Sequence, residues 1–67
     1  RRNFKENKEL AVLDQQLPEL ELQKEELEQQ MTQEGADMAK LSIDLADLIS
    51  RIEQAEERWL ELSELAP

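Results

Sequence analysis

The chain has 67 residues, of which 37% are charged and 39% are hydrophobic, and its formal net charge at pH 7 is −9. So short and so highly charged a chain forms one small domain at most, without a broad globular core. No apolar run approaches the roughly 20 residues of a membrane helix, and the absence of cysteine excludes disulfides and thiol chemistry. We therefore predict a soluble, cytoplasmic protein. Because strong helix formers dominate the sequence, we also predict an all-α fold.

Helix 1 is predicted to begin at Asn3, which precedes Glu6 by three residues in a capping-box pattern. Apolar residues then recur at alternating spacings of three and four, the rhythm of a coiled-coil seam. Pro18 removes one intrahelical hydrogen bond at a cost of about 3 kcal/mol. The heptad phase nevertheless continues across it, so we expect one helix over residues 3–32 that is kinked near Pro18. The predicted seam of helix 1 is Leu10, Leu13, Leu17, Leu20, Lys24, Leu27 and Met31.

A turn over residues 33–36 is predicted to separate the helices. Gly35 is the natural left-handed stop, and Asp37 is the expected N-cap of helix 2 over residues 37–65. So short a connection forces the helices to run antiparallel. We therefore predict a two-helix antiparallel coiled-coil hairpin, a rod about 42 Å long at 1.5 Å per residue. The predicted seam of helix 2 is Met38, Leu41, Leu45, Leu48, Ile52, Ala55, Trp59, Leu62 and Ala66.

The two seams form seven layers when a-type positions face d-type positions. Leu17 then opposes the small Ala55 beside Pro18, where a distorted backbone needs space. This coincidence favours the register over one slipped by about a helical turn. The predicted layers are Leu10 with Leu62, Leu13 with Trp59, Leu17 with Ala55, Leu20 with Ile52, Lys24 with Leu48, Leu27 with Leu45, and Met31 with Leu41.

Lys24 and Phe4 are the two residues whose roles the seam does not fix. We expect the stem of Lys24 to lie over the seam while its ammonium reaches solvent or a carboxylate such as Asp44 or Asp47. The alternative is that Lys24 fixes the register by disfavouring slipped pairings. The ring of Phe4 is expected to cover the end of the seam near Leu62 and Leu65.

No motif for catalysis or metal binding is present. There is no His or Cys, the Ser residues have no base beside them, and no glycine-rich phosphate loop occurs. Glu25, Glu26 and Glu28 spread over different helix faces and lack the spacing of a calcium loop. The chain is therefore predicted to be neither an enzyme nor a holder of a cofactor or metal.

The basic residues are concentrated at one end. Arg1, Arg2, Lys5 and Lys8 are opposed among the first eight residues only by Glu6, whereas the remainder is strongly acidic. Because affinity for phosphate backbones comes mainly from Lys and Arg, these four residues are the candidate nucleic-acid contacts. The alternative is that they are solvated charges. The chain also begins without Met, and we expect it to be the C-terminal piece of a longer chain.

The two ends of the sequence carry a family resemblance. Residues 3–10 resemble the S-Y-K-E-x-R-E-L opening of the C-terminal domain of ABC-F ATPases of the Uup type. Leu17 and Pro18 match the L-P of that family, and the ending from Ala55 to Leu65 resembles its closing E-R-W-x-E-L segment. The likeness runs in the right order over nearly the whole chain.

The resemblance implies a coiled-coil hairpin attached to two ATP-binding cassettes in a polypeptide without a membrane domain. ATP and magnesium would be bound upstream. Such proteins are similar to translation factors that act on the ribosome, and the hairpin of the Uup type is associated with DNA binding. The partners implied are DNA or the ribosome, and no membrane. The sequence departs from this family in its charge. A hairpin that binds nucleic acid should have a basic face, but only the four N-terminal basic residues, with isolated Arg51 and Arg58, could contact a phosphate here.

An alternative function is a structural or protein-interaction module. The rod would form a weak homodimer or dock on a protein through apolar residues outside the seam. A third alternative, a fragment of a long two-chain coiled coil, is weakened by Gly35 and Pro18. The apolar residues outside the seam are Val12, Leu22, Ile43, Ile49 and Leu60.

Overall fold

A computed structural model describes residues 1–67, which form two α-helices and no strand. Helix α1 spans Phe4–Gln30 and helix α2 spans Met38–Glu64. They pack side by side as a hairpin measuring 51 × 15 × 15 Å. The predicted all-α fold of two antiparallel helices is confirmed. Neither helix contains a stretch that is both long and apolar enough to span a membrane.

Both helices begin at the capping residues that the sequence predicts. Asn3 Oδ1 accepts a hydrogen bond from the Glu6 amide at 2.8 Å, and Glu6 Oε1 accepts one from the Asn3 amide at 3.0 Å. At the start of α2, Asp37 Oδ1 accepts from the Lys40 amide at 3.1 Å. These side chains satisfy amides of the first turn that have no acceptor within the helix.

The connection between the helices runs over residues 31–37, slightly longer than the predicted turn. Gly35 is the one residue with a positive φ, at 79°. This left-handed conformation costs other L-residues about 1–2 kcal/mol, which explains glycine there. The connection reverses the chain direction and brings the two seams face to face.

The buried core consists of five side chains, all of which belong to the predicted seams. Leu62 is the most deeply buried, with no exposed surface. Most other seam residues are half-buried, because a two-helix rod has no third element to cover its sides. Met38, at the first position of α2, is 47% exposed. Each fully buried Leu or Ile contributes about 1.5–3 kcal/mol. The buried residues are Leu13, Leu41, Leu48, Ile52 and Leu62.

Helix α1 continues through Pro18 without interruption, as the unbroken heptad phase predicts. The kink near Pro18 stays a prediction. Lys24 is half-buried on the seam, and of its two expected destinations, solvent or a carboxylate across the pair, the carboxylate bond is absent. Asp44 instead bonds Lys40 on its own helix, at 3.4 Å.

The predicted position of Phe4 was wrong. Its ring does not cover the seam but is 83% exposed. The seam of α1 extends backwards from Leu10 to Glu6, and at helical spacing Phe4 falls outside this stripe. The end of the seam is occupied by Arg2 instead, which is half-buried against the last turn of α2.

Candidate nucleic-acid interface

The four candidate residues lie at the open end of the hairpin, where α1 begins and α2 ends. We call this end, residues 1–9 and 58–67, the root, and the connection over residues 31–37 the tip. The root does not present its four basic side chains equally. Arg2 is half-buried, whereas Arg1, Lys5 and Lys8 are exposed.

Arg2 is engaged in holding the end of α2. One guanidinium nitrogen, Nη1, donates to the carbonyls of Leu62 and Leu65, each at 2.9 Å. Its Nε donates to Asn7 Oδ1 at 2.8 Å, and its backbone amide donates to the Ala66 carbonyl at 2.8 Å. The Leu62 carbonyl also accepts from the Leu65 amide at 3.2 Å. The helix dipole favours a cation beside the last carbonyls of a helix. Arg2 therefore acts as a clamp between the two ends of the chain.

Lys5 and Lys8 share an outward face of α1 with Phe4. Phe4 and Lys8 are four residues apart, and Lys5 and Lys8 are three apart, so the three side chains are neighbours on the helix surface. Neither lysine makes a hydrogen bond or an ion pair within the protein. Arg1 is similarly free. The first turn of α1 adds the partial positive charge of a helix N-terminus.

Arg58 does not extend this basic surface. Its Nε and Nη2 donate to the two carboxylate oxygens of Glu9 at 2.8 and 2.9 Å, and its Nη1 donates to Glu61 at 2.9 Å. The hydrogen bond from Arg58 holds the pKa of the Glu9 carboxyl below its usual value. Hydrogen bonds to Glu9 and Glu61 likewise raise the pKa of Arg58. A bidentate pair of this kind joins α1 to α2 in a defined orientation.

Trp59 makes a second polar bond between the helices that sequence reasoning missed. Its indole Nε1 donates to Asp14 Oδ1 at 2.6 Å. Trp59 is half-buried, and the N–H of such an indole usually finds a hydrogen-bond partner. Asp14 directly follows Leu13, which opposes Trp59 in the predicted register. The pair of Glu9 with Arg58 lies beside the adjacent layer of Leu10 with Leu62. Both polar pairs therefore agree with the predicted register.

The charge contrast along the rod is large. The first eight residues carry four cations and one carboxylate, a net charge of +3, whereas the remaining residues carry four cations and sixteen carboxylates, a net charge of −12. No group of His, Cys, Asp or Glu side chains is arranged to hold a metal ion. The net positive charge of the chain is therefore concentrated in its first eight residues, at one end of the rod.

Comparison with known proteins gives one assignment. A search of curated proteins found no match, and a search of solved structures found none. The family model described as the ABC transporter C-terminal domain matches residues 1–64 of the 67. The two-helix hairpin thus belongs to the ABC transporter C-terminal domain family.

Proposed function

We propose that this domain is the non-catalytic C-terminal appendage of an ABC-F ATPase of the Uup type and helps that protein reach DNA or ribosomal RNA. Family membership supports the role of an appendage of an ABC protein. The chain itself is not an ATP-binding cassette. In this proposal ATP and magnesium are bound by cassettes upstream, in a cytoplasmic parent protein.

The observation that carries the nucleic-acid part is the outward face of Phe4, Lys5 and Lys8. Two ammonium groups without a partner in the protein can each bind a phosphate, and the free Arg1 extends the same basic end. The exposed ring of Phe4, one helical turn before Lys8, can stack on an unpaired base. Arg2 contributes differently, because its guanidinium is already donating to the carbonyls of α2.

The acidic remainder of the rod limits the size of the proposed contact. Residues 10–57, outside the root, carry three cations and thirteen carboxylates, a net charge of −10, against +1 for the root. This charge repels a phosphate backbone, so a nucleic acid would touch the root and turn away from the rest. Three free cations engage about three phosphates, which gives a slope of log K against log salt of about −2 for a single strand. We therefore expect weak, local binding that adds to contacts made by the rest of the parent protein.

A pair of charge-matched double variants tests the proposal. Lys5→Gln with Lys8→Gln removes two cations from the root, whereas Lys40→Gln with Arg51→Gln removes two from the remainder of the rod. Binding of labelled single-stranded DNA and of ribosomes would be measured across a salt series. We expect the root variant to lose most of its affinity and its salt slope to fall by about 1.4, while the control keeps the wild-type slope.

Two outcomes contradict the proposal. Equal losses in the two double variants would mean that binding follows total charge and not the root. No measurable binding of the wild-type chain to DNA or to ribosomes would leave the hairpin as a spacer or a protein-binding rod.

A further inference from the structure

An apolar notch of about 340 Å³ opens between the two helices, near the root. Its apolar lining comes from Leu17 and Trp59 on the seams and from Leu60 beside them. Glu21 and Glu56 stand at its sides, one from each helix. The other three grooves of the hairpin are lined mainly by polar side chains. This notch is therefore distinct in combining an apolar floor with two flanking carboxylates.

Local packing explains why the notch remains open. Leu17 precedes Pro18, and in the predicted register it faces Ala55, whose side chain is too small to fill the layer. The neighbouring indole of Trp59 donates to Asp14 at 2.6 Å, which favours the ring orientation that leaves the gap open.

The carboxylates indicate what kind of group the notch accepts. Leu60 is 53% exposed, so an apolar group that enters removes its surface from water. Glu21 and Glu56 have no cation bonded to them in the hairpin and lie on a surface of net charge −12. We propose that the notch docks a basic protein segment, which inserts one apolar side chain and sets Lys or Arg beside the two carboxylates.

Other occupants fit the notch less well. A nucleic acid would bring phosphates towards Glu21 and Glu56, which repel them. A second copy of the chain would bring an acidic rod against an acidic rod. The remaining strongly exposed aliphatic side chains, among them Val12, Leu22 and Ile43, line no groove. The docking proposal does not depend on nucleic-acid binding at the root.

Trp59 is the single tryptophan of the chain, which gives the notch its own spectroscopic probe. The ligand for the test is a synthetic nine-residue peptide of Lys and Arg with a central Leu, and its control carries Ser at the centre. We expect the Leu peptide to shift the Trp59 fluorescence saturably, and the Ser peptide to bind about tenfold more weakly or worse. Leu60→Ser should produce the same loss, whereas Ile43→Ser, at a side chain 70% exposed outside the notch, should not.

A second pair of variants tests the flanking charges. Glu21→Gln with Glu56→Gln should weaken peptide binding and reduce its salt dependence. Glu25→Gln with Glu57→Gln makes the same change of net charge at exposed positions that line no groove, and should retain binding. Circular dichroism establishes that each variant is folded, so a loss of binding is separable from a loss of structure.

Three outcomes would overturn the proposal. If the Leu and Ser peptides bind alike, the acidic surface attracts them without using the notch. If Leu60→Ser leaves the Trp59 response intact, the apolar floor has no part in binding. If the Trp59 signal depends on protein concentration without peptide, and sedimentation detects a dimer, the occupant is a second copy. A chain that fails to bind DNA can still give the positive result, so the two proposals fail separately.

Discussion

The root and the tip of the hairpin are held by different kinds of interaction. At the root, hydrogen bonds from Arg58 and Trp59 join the two helices, and one from Arg2 joins the start of the chain to α2. Towards the tip, the side-chain bonds stay local, as in the pair of Lys40 with Asp44 on α2. The helices there are joined by apolar burial and by their short connection. Directional bonds thus specify the root, whereas the tip depends on the non-directional hydrophobic effect.

The largest expected effects come from truncating the core at each end. Leu62→Ala at the root and Leu48→Ala towards the tip should each lower the free energy of unfolding by about 2–5 kcal/mol. We expect the larger loss at Leu62, which is 0% exposed against 4% for Leu48. Urea unfolding followed by circular dichroism measures both.

Leu22→Ala provides the matched control for these core variants, because Leu22 is 56% exposed. Its effect should stay within about 0.5 kcal/mol. A larger loss at Leu48 than at Leu62 would contradict the expectation that the more deeply buried side chain contributes more to stability.

A smaller effect is expected from Gly35→Ala at the tip. The added methyl group meets no atom within 4 Å, so the cost is that of the positive φ alone, about 1 kcal/mol. Gly35→Asn should cost less, because asparagine tolerates the left-handed conformation better. The free energies of unfolding of the two variants give the comparison. Equal losses would mean that the turn relaxes to another backbone conformation.

The smallest effect is expected from Glu9→Gln, which removes the carboxylate bound by Arg58 at the root. The pKa of Glu9 is lower in the folded chain than its ordinary value of 4.5, so folding favours its ionised form. The stabilisation is therefore fully present above pH 4.5 and is lost as the pH falls through the lower, folded pKa. We expect Glu9→Gln to lower Tm slightly at pH 7 and not at the acidic end of a pH series.

Salt provides a second check on this pair. The side chains of Arg58 and Glu9 are 41% and 39% exposed, so added salt should screen their attraction and reduce the loss of Tm in Glu9→Gln. Glu57→Gln, at an exposed carboxylate without a bonded cation, is the control. A difference between Glu9→Gln and wild type that persists at low pH would mean that shape, and not charge, couples the helices at the root.

The helices and their core could be predicted from sequence because their determinants are local or periodic. The capping box of Asn3 with Glu6 lies within one turn, and seam spacing alone identified all five buried side chains. The heptad spacing was less informative at the ends of the two seams. Phe4 was assigned to the end of the seam because it is aromatic and lies in the first turn. At heptad spacing, however, the seam position before Leu10 is Glu6 and not Phe4.

The polar contacts at the root were beyond sequence reasoning for a different reason. Arg58 can reach several carboxylates, and its choice of Glu9 and Glu61 depends on side-chain geometry that spacing does not encode. Arg2 was expected either to contact a phosphate or to be a solvated charge, because nothing in its neighbourhood along the chain indicates the carbonyls at the far end of α2. The nucleic-acid role of Arg1, Lys5 and Lys8 stays a prediction.

The hydrogen bond of 2.8 Å between the Arg2 amide and the Ala66 carbonyl has a use in protein engineering. It leaves the two ends of the hairpin within bonding distance, so the module can be spliced into a surface loop of an unrelated host without a bridging linker. A host with this insertion would carry a projecting helical rod 51 Å long, with four cations in the first eight residues beside the insertion point and most of its carboxylates along the rod.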